Sequence, residues 1–170
     1  CSYCSFATIP RLFGMLFSML GLAAYAQDEA VTDEELAKFA NVEVMTSNYV
    51  DAKTEELRNM ILNNPNIEGG ARYNEIKAAW GDEAKMEEAK ITDAEKKAYQ
   101  AVQDFQDSLQ ESVKEYKTEL IMDDTILGAG TYNKVNGAIK EDPALKEKLD
   151  AMIDAQKAKE AAAKAEVKDG

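Results

Sequence analysis

Residues 91–122 read ITDAEKKAYQAVQDFQDSLQESVKEYKTELIM, and their punctuation decides the fold class. Thr92 and Glu95 stand in capping-box spacing, in which a hydroxyl and a carboxylate satisfy backbone donors left free at a helix start. Beyond them Tyr99, Val102, Phe105, Leu109, Val113, Tyr116 and Leu120 recur every three or four positions, which gathers them on one helical face. Sixty positions earlier VTDEELAKFANVEVMTSNYV (31–50) repeats the pattern. Thr32 and Glu35 form the box, Val31 and Leu36 the hydrophobic staple across it, and the stripe runs Leu36, Phe39, Val42, Met45, Tyr49, Ala52, Met60. Asn63-Asn64-Pro65-Asn66 stops it, which predicts a helix of about thirty residues, roughly 45 Å long.

Each long segment leads through a glycine into a shorter motif. ARYNEI (71–76) and GTYNKV (130–135) place Tyr73-Asn74 and Tyr132-Asn133 at an offset of 59, aligning Gly69 with Gly128 and Ile76 with Val135. Breaks follow at Gly81-Asp82 and at Glu141-Asp142-Pro143, where aspartate can cap a further helix and proline suits its first position. Leu145, Leu149, Met152 and Ile153 give one more stripe, and AQKAKEAAAKAEVKDG after them is helix-forming but nearly stripeless. The expected fold is all-α: an irregular bundle of four to six helices built from two tandem copies, about 31–89 and 91–157, with 158–170 a solvated helical tail. A long amphipathic helix cannot bury its stripe alone, so the two long helices pair and the shorter ones lie across them.

The first stretch, CSYCSFATIPRLFGMLFSMLGLAAYAQ, sets Arg11 before an apolar run from Leu12 to Ala24 and ends it in Ala24-Tyr25-Ala26. That pattern predicts a secretory signal over 1–26, cleaved before Gln27, and a periplasmic or secreted location. The run falls short of the roughly 20 apolar residues a spanning helix needs, so no stable membrane insertion is expected after cleavage. The mature chain, a single domain over 27–157 with its tail, would then hold no cysteine and no histidine. Thiolate nucleophiles, disulfides, haem ligation by histidine, Cys/His zinc sites and Glu-x-x-His di-iron sites leave with them.

Removing Arg11 takes the net charge from −12 to −13, a surface that repels nucleic acid and anionic headgroups. Glu55-Glu56, Glu87-Glu88 and Asp123-Asp124 lack the alternating loop of a calcium site and read as solvated faces. The methionines fall mostly on stripes, where core filling explains them, and the glycine pairs match neither a phosphate loop nor a dinucleotide fingerprint. No cofactor and no metal is expected. Carboxylate hydrolysis of glycosides needs two carboxyls about 5 to 10 Å apart with one pKa raised by burial. No acid here stands in an apolar run.

Tyr73, Asn74, Tyr132 and Asn133 remain as candidate binding residues. Their simpler role is structural, each ring packing on a long helix while the amide ties down loop backbone. Their functional role would be a pseudo-symmetric polar site at one end of the bundle. Trp80, in the position of Ile139, reads first as packing and second as a ligand platform.

TDEELAKFA (32–40), GARYNEI (70–76) and above all GAGTYNKVNGAIKEDPALKEKLDAM (128–152) resemble the bacterial domain-of-unknown-function 4168 family over about residues 31–157. The resemblance implies an exported, all-helical bacterial protein and no assigned activity. Together these readings predict a non-enzymatic exported module that binds a protein or small molecule, or associates structurally. The alternatives are a small-molecule or cation carrier, and a carboxylate- and tyrosine-dependent enzyme acting on cell-envelope polysaccharide.

Overall fold

The computed structural model describes residues 30–168, so the expected signal over 1–26 lies outside the described residues. Six helices follow one another: α1 (Asp33–Leu62), α2 (Gly69–Ala79), α3 (Glu83–Glu88), α4 (Asp93–Met122), α5 (Ala129–Glu141) and α6 (Pro143–Lys168). No strand occurs among the described residues, and the fold is the all-α bundle the stripes predict.

Both capping boxes are made. Thr32 Oγ1 accepts from the Glu35 N–H at 3.2 Å and Glu35 Oε2 from the Thr32 N–H at 2.8 Å; the same exchange between Thr92 and Glu95 measures 3.2 and 2.7 Å. α1 and α4 accordingly start sixty positions apart and each runs for 30 residues. Asp142 caps α6 through the N–H groups of Ala144 and Leu145, with Pro143 at the first helical position as expected. Gly69 and Gly128 open into α2 and α5 with φ of +76° and +83°, a conformation that costs any residue with a Cβ. At Gly128 a Cβ would also meet Asp124 Oδ1 at 2.8 Å.

α3 ends in a Schellman turn. The Ile91 N–H reaches the Met86 carbonyl and the Lys90 N–H the Glu87 carbonyl, which puts Lys90 at φ +53° without glycine's freedom. Ile91 and Met86 then meet in the core, the apolar contact that accompanies such turns.

α1 and α4 pair antiparallel, because Leu36 and Leu120 share one buried cluster while Leu57, Met60 and Val102 share another. The first cluster gathers Leu36, Phe39, Ala40, Val42, Leu120, Leu127, Val135 and Leu149 beneath α5 and α6. The second gathers Ile67, Tyr73, Ile76, Ala79, Ile91, Ala98, Tyr99 and Val102 around α2. Ile76 and Val135, equivalent at the offset of 59, are both fully buried. α6 lies parallel along α1, held by Lys148–Asp33, Gln156–Asn41 and Asn48–Glu160. It remains helical to Lys168, and over 158–165 only Glu160 is less than exposed.

The stripes are buried unevenly. Tyr99, Val102 and Leu120 are buried, but Phe105, Leu109, Val113 and Tyr116 between them are only partly so, and Ala52 is exposed. The short helices cover the ends of the α1–α4 pair and leave the middle of α4 partly exposed. Leu36→Ala is therefore expected to lower stability by about 2 to 5 kcal/mol, as for a fully buried leucine, while Leu109→Ala costs less than half as much. Urea unfolding of the two variants checks the difference.

Candidate functional site

The two Tyr-Asn couplets do not converge. Tyr73 sits in the cluster at the start of α4 and Tyr132 against the cluster at the start of α1, at opposite ends of the antiparallel pair. One shared polar site is thereby excluded. What the couplets share is a mode of docking. The Tyr73 ring tilts on Tyr99 at 5.3 Å between centroids, and the Tyr132 ring stacks on Phe39 at 5.4 Å. Tyr99 and Phe39 are the seventh residues after their capping threonines, so each short helix is seated on the first two turns of the long helix from the other half of the chain.

The same short helices carry a cation to the capping glutamate. Arg72 on α2 donates from Nε to Glu95 Oε1 at 2.6 Å and from Nη1 to Glu75 at 2.9 Å. Its remaining N–H groups reach the Ala89 and Lys90 carbonyls, so the guanidinium spans α2, the α3 turn and α4. At the other end Lys134 on α5 donates to both oxygens of Glu35 at 2.8 and 2.9 Å. Glu95 and Glu35 each cap a long helix and clasp a short one.

That double use fixes their ionisation. The Arg72 hydrogen bond, joined by those from Thr92 and opposed by burial, holds the Glu95 carboxyl down at about 2. Lys134 and the Thr32 backbone lower Glu35, while Glu95 and Glu75 raise Arg72. Burial, with Tyr73 alongside, pushes the Tyr99 phenol up. Asp82 and Asp123 are lowered by turn hydrogen bonds, from Lys85 and Thr125.

Asn74 and Asn133 are exposed, which overturns the expectation that their amides tie down loop backbone. Other residues hold the loops. Asn64 Oδ1 accepts from the Asn66 N–H at 2.9 Å and Asp123 Oδ1 from the Thr125 N–H at 2.8 Å, both two residues on. The signal for them was present as Asn or Asp within two residues of each long helix's end. Gln103, which donates to the Tyr73 hydroxyl at 3.3 Å, was legible only as a polar neighbour of the stripe. Trp80 packs on Tyr99 at 4.4 Å while keeping an exposed edge.

A cleft of about 710 Å³ opens beside the Arg72 clasp, lined by Asn66, Glu68, Arg72, Glu75, Lys90 and Glu95 among others. Its guanidinium is already matched by two carboxylates, Glu75 and Glu95. Among the described residues no group of three or more acids is placed to hold a metal ion. No helix among them is long and apolar enough to cross a membrane. Searches found no matching family model, no matching curated protein and no matching solved structure.

Glu95 and Arg72 are mostly shielded, at 13% and 21% side-chain exposure, so the clasp keeps much of its strength in water. Because the folded-state pKa of Glu95 is depressed, its stabilisation is complete above the unfolded value near 4.5 and is lost as pH falls toward about 2. Wild type should exceed Glu95→Gln by about 2 to 3 kcal/mol at neutral pH, and the gap should close as pH drops from 5 toward 2. Urea melts across that range provide the check.

Proposed function

We propose that this chain is an exported, non-catalytic interaction module, made of two tandem copies of one helical unit and akin to the bacterial domain-of-unknown-function 4168 family. The observation that carries the reading is the split within each couplet: the tyrosine ring is spent on docking the short helix, while the asparagine beside it faces solvent. An amide held outward on a fixed helix is available to a partner, and it occurs once at each end of the bundle. The acids argue the same way. Glu35, Asp82, Glu95 and Asp123 all shift toward stronger acidity, whereas a general acid at neutral pH needs its pKa raised.

A small-molecule carrier is the second reading, supported by the cleft beside Arg72 with its mixture of amide, carboxylate and ammonium groups. Thermal-shift screening separates the two, since a ligand that binds only the folded chain raises the melting point by mass action. A stabilising small molecule whose effect disappears in Glu68→Ala would favour the carrier.

The double variant Asn74→Ala/Asn133→Ala tests the main proposal. Its stability should stay within about 0.5 kcal/mol of wild type, as for surface positions, while the phenotype of a chromosomal deletion should go uncomplemented. Full complementation by the double variant would overturn the assignment of the amides. Export has its own readout: expressed in a bacterium, the chain should be recovered from the periplasm or medium beginning at Gln27, and an unprocessed cytoplasmic product would refute it.

A further inference from the structure

At the margin of the first buried cluster, against which Tyr116 packs, α1 and α4 make one further aromatic contact. Tyr49 on α1 and Tyr116 on α4 lie ring upon ring, with centroids 4.2 Å apart and planes within 12° of parallel. Both are half-buried. The other tyrosine pair in contact, Tyr73–Tyr99, is wider at 5.3 Å, tilted by 37° and buried at both members. There the Tyr73 hydroxyl also accepts a hydrogen bond from Gln103. Tyr132 stacks on a phenylalanine, which has no phenol to oxidise.

We propose that Tyr49 and Tyr116 form an oxidative cross-linking site, joined as dityrosine when hydrogen peroxide acts through a peroxidase-type one-electron catalyst. Each phenol gives up one electron and its hydroxyl proton. The two radicals couple through a new carbon–carbon bond between ring positions ortho to oxygen. Each coupled carbon then passes its hydrogen to oxygen, restoring two phenols. The peroxide takes both electrons and both protons and leaves as two waters, so two tyrosines and one peroxide yield one biaryl and two waters.

Three features favour this pair. The rings are close enough that coupling outruns diffusion of either radical to another molecule, an effective-concentration advantage of the kind that makes reactions within one molecule fast. Partial exposure lets the oxidant and departing protons reach them. The rings also come from different long helices, so the bond ties α1 to α4. It closes a chain loop running from 49 to 116 that contains α2 and α3, and closing so long a loop restricts the unfolded chain.

The test uses the full chain at low micromolar concentration with a haem peroxidase and hydrogen peroxide. It reads dityrosine fluorescence, the mass of the cross-linked peptide pair and the melting temperature. The expected product is a monomer joined between the peptides holding Tyr49 and Tyr116, two hydrogens lighter than their sum. Its yield should be independent of protein concentration, and its melting point should lie roughly 5 to 15 °C above that of the untreated chain. Tyr49→Phe and Tyr116→Phe keep the ring stack and should each abolish the product, with circular dichroism confirming that both variants fold, whereas Tyr73→Phe should leave it intact. A bond mapped to other tyrosines, a yield that rises with protein concentration, or no coupling where free tyrosine couples readily would overturn the proposal.

Discussion

One carboxylate doing two jobs organises each end of this bundle. Glu95 accepts the backbone N–H of Thr92 and, on its other oxygen, the guanidinium of Arg72; Glu35 accepts the Thr32 N–H on one oxygen and the ammonium of Lys134 on both. The cap holds the carboxylate by partners only three residues away, so its position rests on local structure. A pre-placed anion at the positive end of a helix dipole then offers the incoming short helix a directed target. Side-chain entropy usually consumes the benefit of an exposed ion pair, and here the local box has already removed that freedom.

The two clasps are alike in role and unlike in strength, and the chemistry of the cations explains the difference. Arg72 offers a planar fork that reaches two carboxylates and two carbonyls at once, so it also fixes the α3 turn. Lys134 is a point charge and reaches one carboxylate alone. The richer network stands at the end with the smaller cover, where α2 and the six-residue α3 must do what α5 and the 26-residue α6 do elsewhere.

Helix number, helix ends and pairing were legible because they rest on local codes: the capping boxes, the Asn-Pro and Asp-Pro stops, and the three-four spacing from Leu36 to Met60 and from Tyr99 to Leu120. The fate of the Tyr-Asn couplets was legible only by half. Periodicity places a ring on the apolar side, but the neighbouring position lies about 100° further round the helix, and its burial depends on whether another element happens to cover it. Among the described residues none covers Asn74 or Asn133. The cross-half clasps were not legible, since no local rule couples residue 72 to 95 or 134 to 35.

The polarity of α4 shows the same dependence from the other side. On α1, Ala40 and Val44 are fully buried on the face that also carries Asn41 and Asn48, the partners of α6. Sixty positions on, those places hold Gln100, Asp104, Ala101 and Ser108, all exposed, and among the described residues no helix runs along α4 as α6 runs along α1. Burying Asp104 as deeply as Val44 would strand a carboxylate without a partner, at a cost far above what a further packed helix returns. α1 and α4 therefore reach different depths of cover, with Asp104 exposed on α4 where α1 buries Val44.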